Sequence, residues 1–294
     1  MKELSERIQR IGLIANSEKP ACRNLVRKAA LLIEATGRIV AIDRATAELS
    51  GLKSETLPDA AALSRKADLL MVFGGDGTML RIARETGGSM TPLVGINAGG
   101  LGFLTDVQAH QLPLALQQIF SGKTRLESRP LIEASGTLYG KQMQLRALND
   151  FVITRGAAPR LIDLEVSVNG DVLTRYRCDG LIVCSPTGST AYSLAAGGAV
   201  VSPTAEVFTI TPICPHTLSN RSVVVSIDSL LSVKVLNRKV ETILTADGQP
   251  PIPMAPGDEI NICRSRLSVR LLHLAGSSFF ETLRRKLNWS GSNV

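Results

Sequence analysis

Leu69-Leu70-Met71-Val72-Phe73-Gly74-Gly75-Asp76-Gly77-Thr78-Met79-Leu80 is the stretch on which the fold of this chain turns. Leu69 to Phe73 is an apolar run of strand length that stops at Gly74-Gly75, after which Met79, Leu80, Ile82 and Ala83 recur at helical spacing. The pattern predicts a strand, a tight turn and a helix start. Glycine leaves no Cβ between main-chain amides and a bound anion, and the helix points its positive dipole end at the same place, so Gly74, Gly75, Gly77 and Thr78 are candidate phosphate-binding residues. Among such amides Asp76 would be repelled by a phosphate unless it accepts a proton or meets a metal, which makes it a candidate catalytic base. The competing structural role for Asp76 is a helix N-cap.

Upstream, Ile11 to Ala15 reads as a buried strand ending at Asn16-Ser17, followed from Pro20 by a helix that stops at Thr36-Gly37, a strand over Ile39 to Ile42 and a weak helix around Ala60 to Lys66. Downstream, Pro92 to Ile96 is the next strand and ends in Asn97-Ala98-Gly99-Gly100-Leu101-Gly102, and Val107 to Ser121 reads as a helix. Strands alternating with helices predict a Rossmann-like first domain with a parallel sheet, whose two glycine-rich turns lie at strand carboxyl ends and face one crevice. Gly12 is a lone glycine with no G-x-G-x-x-G run around the first strand, which disfavours an ordinary dehydrogenase cofactor site, and no Walker A sequence occurs, so phosphate chemistry here differs from that of the P-loop proteins.

The polar segment Gly122 to Arg129 reads as a crossover, after which the period changes to two. Ile162, Leu164, Val166 and Val168 alternate with polar residues and meet the hairpin turn Asn169-Gly170. Val223 to Ile227, Leu231 to Leu236, Ile243 to Ala246, Ile260 to Cys263 and Leu267 to Leu271 follow as short strands, and Phe279 to Leu287 returns to helical spacing. The expected organisation is α/β plus all-β: an α/β domain over 1–127, a β-rich domain over 128–272, and a segment over 273–294 whose helix returns to the first domain.

The bulk properties narrow the function. A chain of 294 residues, 44% hydrophobic and 20% charged, has the composition of a folded two-domain protein. No apolar stretch is long enough to cross a bilayer, and Met1 to Arg10 lacks the apolar core of a signal peptide, so the expected home is the cytoplasm. Cys22, Cys178, Cys184, Cys214 and Cys263 are scattered and read as buried thiols in a reducing compartment. His110, His216 and His273 add no metal-ligand spacing, and no protein-bound transition metal is expected. A net charge of +7 favours anionic partners, but dispersed basic residues and 4% aromatics argue for small anions and against nucleic acid.

A second constellation lies in the β half. Arg177-Cys178-Asp179-Gly180 and the apolar residues after it lead into Ser185-Pro186-Thr187-Gly188-Ser189-Thr190-Ala191-Tyr192-Ser193-Leu194-Ala195-Ala196-Gly197-Gly198. Hydroxyls, free amides and one tyrosine ring suit a base and a ribose, and Ser189 or Thr190 can cap the helix that follows. The plain alternative is a Ser/Thr-rich loop over a buried helix. Together with Gly74 to Thr78, Gly95-Ile96-Asn97 through Leu101-Gly102-Phe103-Leu104, Asn149-Asp150, Pro215-His216-Thr217-Leu218 with Arg221, and Asp247-Gly248-Gln249, these residues resemble the NAD kinase family in its bacterial form.

That resemblance implies transfer of a phosphoryl group from ATP, or in some members polyphosphate, to the 2′-hydroxyl of the adenosine ribose of NAD. It implies Asp76 as proton acceptor with Gly77 beside it, and an NAD site made of Asn149, Asp150, Arg160, Arg177, Asp179, Thr190, Ala191, Tyr192, Ser193, Leu194, Ala195 and Gln249. Asn149-Asp150 departs from the family's usual Asn-Glu by one methylene. The resemblance also implies Mg²⁺ held mainly through nucleotide phosphates, and a homodimer or homotetramer built through the β domain with the site completed across that contact. The readings from other classes are a lipid or sugar kinase sharing the Asp76 turn and a non-catalytic NAD-binding sensor.

Overall fold

The computed structural model describes residues 7–105, 107–157, 160–216, 221–237 and 240–289. They divide into two compact units, one of residues 1–128 with 268–294, the other of 129–267.

The first unit is built on β1 (Arg10–Ala15), β2 (Ile39–Asp43), β3 (Glu55–Leu57), β4 (Leu69–Gly74), β5 (Leu93–Asn97) and β6 (Val107–Gln108), in the order β3-β2-β1-β4-β5 and all parallel, with β6 beside β5. Every residue of β4 is buried, as a parallel sheet covered on both faces demands. Helix α1 (Ala21–Glu34) lays Cys22, Leu25, Val26, Ala29, Ala30 and Ile33 on this sheet, and their spacing of three and four keeps them on one stripe. They join Ile11, Leu13, Met71 and Phe73 in one core with Leu116 and Ile119. Because the chain steps outward from β1 to β2 in one direction and to β4 in the other, the order reverses between β1 and β4. Loops at the carboxyl ends of those two strands flank an open crevice.

Three readings of this half are corrected. Between β2 and β3 lies a helix, α2 (Arg44–Ser50), which the apolar pattern does not signal; Asp43 caps it by accepting from the Thr46 amide. A short helix, α3 (Ala60–Ser64), follows, and α4 (Asp76–Glu85) leaves the glycine turn. The expected single helix from Val107 is β6, one 3₁₀ turn (Ala109–Gln111) and α5 (Leu112–Phe120). The Gln111 side chain reaches back to the Gln108 amide, and Pro113 needs no amide partner in a first turn, so the helix starts late. The supposed crossover Gly122 to Arg129 already holds the start of β7 (Thr124–Leu138).

In the second unit the end of β7 pairs with β8 (Lys141–Ala147). It continues with β9 (Asp150–Arg155), β10 (Ile162–Val168), β11 (Asp171–Cys178), β12 (Gly180–Cys184), helix α6 (Tyr192–Ala195), β13 (Val207–Ile213), β14 (Val223–Ser226), β15 (Leu231–Val235), β16 (Thr242–Ala246), β17 (Ile252–Met254) and β18 (Glu259–Leu274). One antiparallel sheet runs β14-β13-β12-β9-β16-β17, and β11-β10-β15-β18 runs in another. Alternate residues of the two, among them Phe151, Ile153, Leu164, Val166, Val183, Phe208, Ile210 and Val233, meet in one core. Asn169 and Gly170 both take positive φ in the β10–β11 hairpin, as that dipeptide predicts.

The two strands read at 260–263 and 267–271 are one continuous strand, β18, because the intervening polar residues do not break the ladder. Its second half belongs to the first unit and pairs parallel to β5 through Leu271 opposite Leu93. Helix α7 (Phe279–Leu287) lies where its spacing predicts. Among the cysteines, Cys22, Cys178 and Cys184 are buried, but Cys263 is half-buried and Cys214 exposed, so the reading of all five as buried thiols fails at those two. Among the described residues no helix is long and apolar enough to cross a membrane.

Candidate functional site

In the first unit Gly75 is the N-cap of α4 and makes no side-chain cap, and Asp76 is the first helical residue, so the capping role for Asp76 is excluded. Its carboxylate turns to the segment after β5. Oδ2 accepts from the Phe103 amide at 2.8 Å, and Oδ1 accepts from the Leu104 amide at 3.0 Å and the Thr105 hydroxyl at 3.1 Å. A carboxylate offers about four lone-pair directions, so this arrangement leaves one, on Oδ2, for an incoming donor. Gly102 permits the approach, since a Cβ there would collide with the Asp76 carboxylate.

The rest of the turn is tied to the same segment. Asn97 donates from Nδ2 to the Gly100 carbonyl at 2.6 Å and to Thr105 Oγ1 at 2.9 Å, while its Oδ1 accepts from the Gly99 amide at 2.6 Å. Asn16, on the loop after β1, donates to Thr78 Oγ1 at 3.3 Å, which commits that hydroxyl to holding two loops together. The returning helix supports the arrangement from outside: the Phe279 and Phe103 ring centroids are 6.3 Å apart, and Lys286 Nζ stands 5.5 Å above the Phe103 ring. Phe103 thus holds Asp76 with its amide and the terminal helix with its ring.

In the second unit the organising group is Asp247, in a left-handed turn after β16. Its carboxylate accepts the amides of Leu148 and Asn149, both at 2.8 Å, and of Asp150 at 3.2 Å. Ser185 returns to the same place, donating from Oγ to the Leu148 carbonyl at 2.5 Å and from its amide to the Asn149 carbonyl at 2.8 Å. Gly188 packs on that backbone so closely that any Cβ would meet the Asn149 carbonyl. Three segments, 148–150, 185–188 and 247–249, are therefore cinched together, and Gln249 sits in the Asp247-Gly248 turn with its amide on the Ala246 carbonyl.

Asp150 is buried, and burial first, then the neighbouring Asp247 carboxylate, pushes its carboxyl up to about 7. Neither Ser189 nor Thr190 caps α6; Ser189 Oγ donates to the Pro186 carbonyl at 2.7 Å and accepts the Val201 amide at 3.0 Å, which closes the loop on itself. Ser193 is buried against Thr211 at 3.0 Å, so its hydroxyl is structural. Tyr192 is 46% exposed. Thr190, Ala191 and Leu194 are half-buried and Ala195 is exposed on the same short turn.

The expected NAD-binding residues do not all gather here. Asp179 lies at the opposite end of β12, next to the far end of β9, where Arg155 donates to it at 2.7 Å. Asp150 begins β9 and Arg155 ends it, so the two clusters stand about 17 Å apart along the strand. Arg177 is exposed at the end of β11, two residues before Asp179, with its carbonyl taken by the His216 amide at 2.7 Å; Arg160 is exposed as well. Arg155 escaped the sequence reading because nothing in Thr154-Arg155-Gly156 marks it, and only the antiparallel register brings it to Asp179. Thr217 and Leu218 lie outside the described residues.

Among the described residues no three His, Cys, Asp or Glu side chains converge as a metal cage. What the chain offers is a carboxylate with one free lone pair above a glycine turn, and a separate loop of hydroxyls and amides around a buried acid.

Comparison with known proteins follows the same two halves. The ATP-NAD kinase N-terminal domain model matches residues 11–124 and the ATP-NAD kinase C-terminal domain model matches residues 148–274. The NAD kinase of Symbiobacterium thermophilum is 40% identical over 94% of this chain and 98% of its own, and that of Moorella thermoacetica 40% identical over 97% and 91%. Among solved structures, yeast NADH kinase complexed with NADH superimposes with a TM-score of 0.88 at 26% identity, over 98% of this chain and 89% of its own. An NAD kinase from Archaeoglobus fulgidus in complex with ATP gives 0.75 at 26% identity, over 96% and 100%.

Proposed function

This chain belongs to the NAD kinase family, and from that premise we propose that it transfers the terminal phosphoryl group of ATP to the 2′-hydroxyl of the adenosine ribose of NAD, giving NADP. The observation that carries the reading is Asp76, held by the Phe103 amide, the Leu104 amide and the Thr105 hydroxyl with one lone pair of Oδ2 left open. That lone pair takes the hydrogen of the attacking hydroxyl. Phosphoryl transfer passes through a loose transition state, so Asp76 chiefly orients the oxygen and receives its proton late.

The amides of Gly75 and Gly77 and the positive end of α4 take the charge of the transferring group. A divalent cation, Mg²⁺ in our reading, enters on the donor phosphates, since Asp76 is the acid at the turn and is already committed to Phe103, Leu104 and Thr105. When bound it would neutralise phosphate oxygens. Asn149, Asp150, Tyr192 and Gln249 bind the acceptor nucleotide, with Thr190, Ala191, Leu194 and Ala195 forming its wall. The far-end pair of Arg155 and Asp179, with Arg177, serves the acceptor site of a neighbouring copy in a homo-oligomer. With five free thiols the protein suits the cytoplasm.

The test is direct. Purified protein is incubated with ATP, Mg²⁺ and either NAD or NADH, and the product is read with an NADP-specific dehydrogenase, directly or after oxidation. NADP formation from NAD supports the proposal. Phosphorylation of NADH alone would move the acceptor to the reduced nucleotide, and binding of NAD without any product would leave a nucleotide sensor.

A further inference from the structure

Beside the glycine turn the first unit contains a cleft of about 510 Å³ that the acceptor reading does not use, lined by Asn24 and Lys28 of α1, Asn97, Gly99, Gln108 and His110. That volume lies within the range of small-molecule sites, and its wall sets the Asn24 and Gln108 amides, which can meet the edge of a base, beside the apolar side chains of Ala21, Leu25, Ala98 and Ala109. The cleft shares Gly99 with a second feature. Lys19, exposed on the loop after β1, places Nζ 3.6 Å from where a Cβ of Gly75 would stand and 4.0 Å from where one of Gly99 would stand. The backbone holds this loop: the Lys19 amide donates to the Asn16 carbonyl at 3.1 Å, and the Cys22 amide to the Lys19 carbonyl at 2.9 Å. Lys19 therefore bridges the two glycine-rich turns at the carboxyl ends of β1, β4 and β5, where the strand order reverses and open α/β sheets take ligands.

We infer that the cleft beside Gly99 is the nucleoside pocket of the phosphoryl donor, and that Lys19 is the cation beneath which the donor's triphosphate runs from the pocket to Gly75. The inference rests on the kinase reading and adds the direction from which the donor enters. A chain of phosphates leaving the cleft across Gly99 meets Lys19 next, then the Gly75 backbone and the start of α4, with Asp76 at the end of the track. Glycine at 75 and 99 leaves the space under the ammonium open. An ammonium on a flexible stem is a point charge that follows phosphates without demanding one geometry, which suits a tail whose last group departs. A donor lacking a base would use Lys19 and leave the cleft empty.

Two variants and an inhibitor separate these parts. Tripolyphosphate is measured as a competitor of ATP, alongside the KM values for ATP and NAD, for the unmodified protein, Lys19→Met and Asn24→Phe. Lys19 and Asn24 are both exposed, so an unchanged Tm confirms folding. Loss of a charge-assisted contact predicts that Lys19→Met weakens ATP and tripolyphosphate together by about tenfold or more. Asn24→Phe, which fills the cleft, raises the ATP KM by about as much while tripolyphosphate inhibits as before. In both, the NAD KM stays put. Wild-type turnover with an unaltered ATP KM in both variants, or a change confined to NAD, would overturn the assignment of the cleft and of Lys19. Absence of NADP formation by the unmodified protein would instead remove the kinase reading itself.

Discussion

Replacing Asp150 by Asn tests the least ordinary group in the molecule. In the folded chain its carboxyl is pushed from 3.8 up to about 7, first by burial and then by the Asp247 carboxylate that holds the amides of residues 148–150. In the unfolded chain the same carboxyl ionises near its ordinary value. Between these two limits the native state binds more protons than the unfolded state, so stability falls as pH rises through the window and levels off above it. A tenfold change in proton concentration is worth about 1.4 kcal/mol, so the part of the window between about pH 5 and pH 7 costs on the order of 3 kcal/mol. An amide mimics the protonated acid and carries no such cost. Denaturant unfolding of the wild type and Asp150→Asn near pH 5 and near pH 8 should therefore show the variant gaining on the wild type by a few kcal/mol at the higher pH. If the difference between the two proteins is the same at both pH values, Asp150 titrates as an ordinary carboxylate, and the account of its burial beside Asp247 is wrong.

The remaining predictions concern activity. Asp76→Asn keeps one acceptor oxygen for the Phe103 or the Leu104 amide, sets an NH2 against the other, and loses the proton acceptor, so kcat should fall by about a hundredfold or more while NAD still binds by calorimetry. Gly102→Ala retains every proposed chemical group but puts a methyl where the Asp76 carboxylate lies and so displaces it, and a loss of kcat comparable with that of Asp76→Asn is expected; normal turnover would show that Asp76 works in another rotamer. Tyr192→Ala removes an exposed ring and should raise the KM for the acceptor several-fold at nearly constant kcat, whereas a pure kcat effect would take Tyr192 out of binding.

Much of the architecture is legible in the chain because its signals are local. The buried run before Gly74 and the change to period two at Ile162 separate an α/β half from a β half, and Phe279 to Leu287 is where its spacing puts it. Errors cluster where a side chain or a long-range ladder overrules the pattern. The Gln108–Gln111 cap delays a helix, Asp43 starts one that the apolar residues do not announce, and β18 continues through residues that look like a loop. At the site, Asp76 and the hydroxyl-rich loop stand out from their local residue pattern, and their roles from the family resemblance. The sequence cannot show that Phe103, Leu104 and Thr105 are what Asp76 faces, or that Asp179 is paired with Arg155 at the far end of a strand from Asp150, since both depend on register between distant segments.

The division of β18 bears on how the chain comes off the ribosome. Residues 268–274 complete the edge of β5, yet they are synthesised only after the whole of residues 129–267 has been made. Until then the nascent N-terminal half carries a strand margin that β6 covers only at Ile96 and Asn97, and an unfinished core, lacking Leu272. Such a margin is a template for pairing between neighbouring polypeptides, so production of this protein should be more sensitive to translation speed and chaperone supply than its size alone suggests.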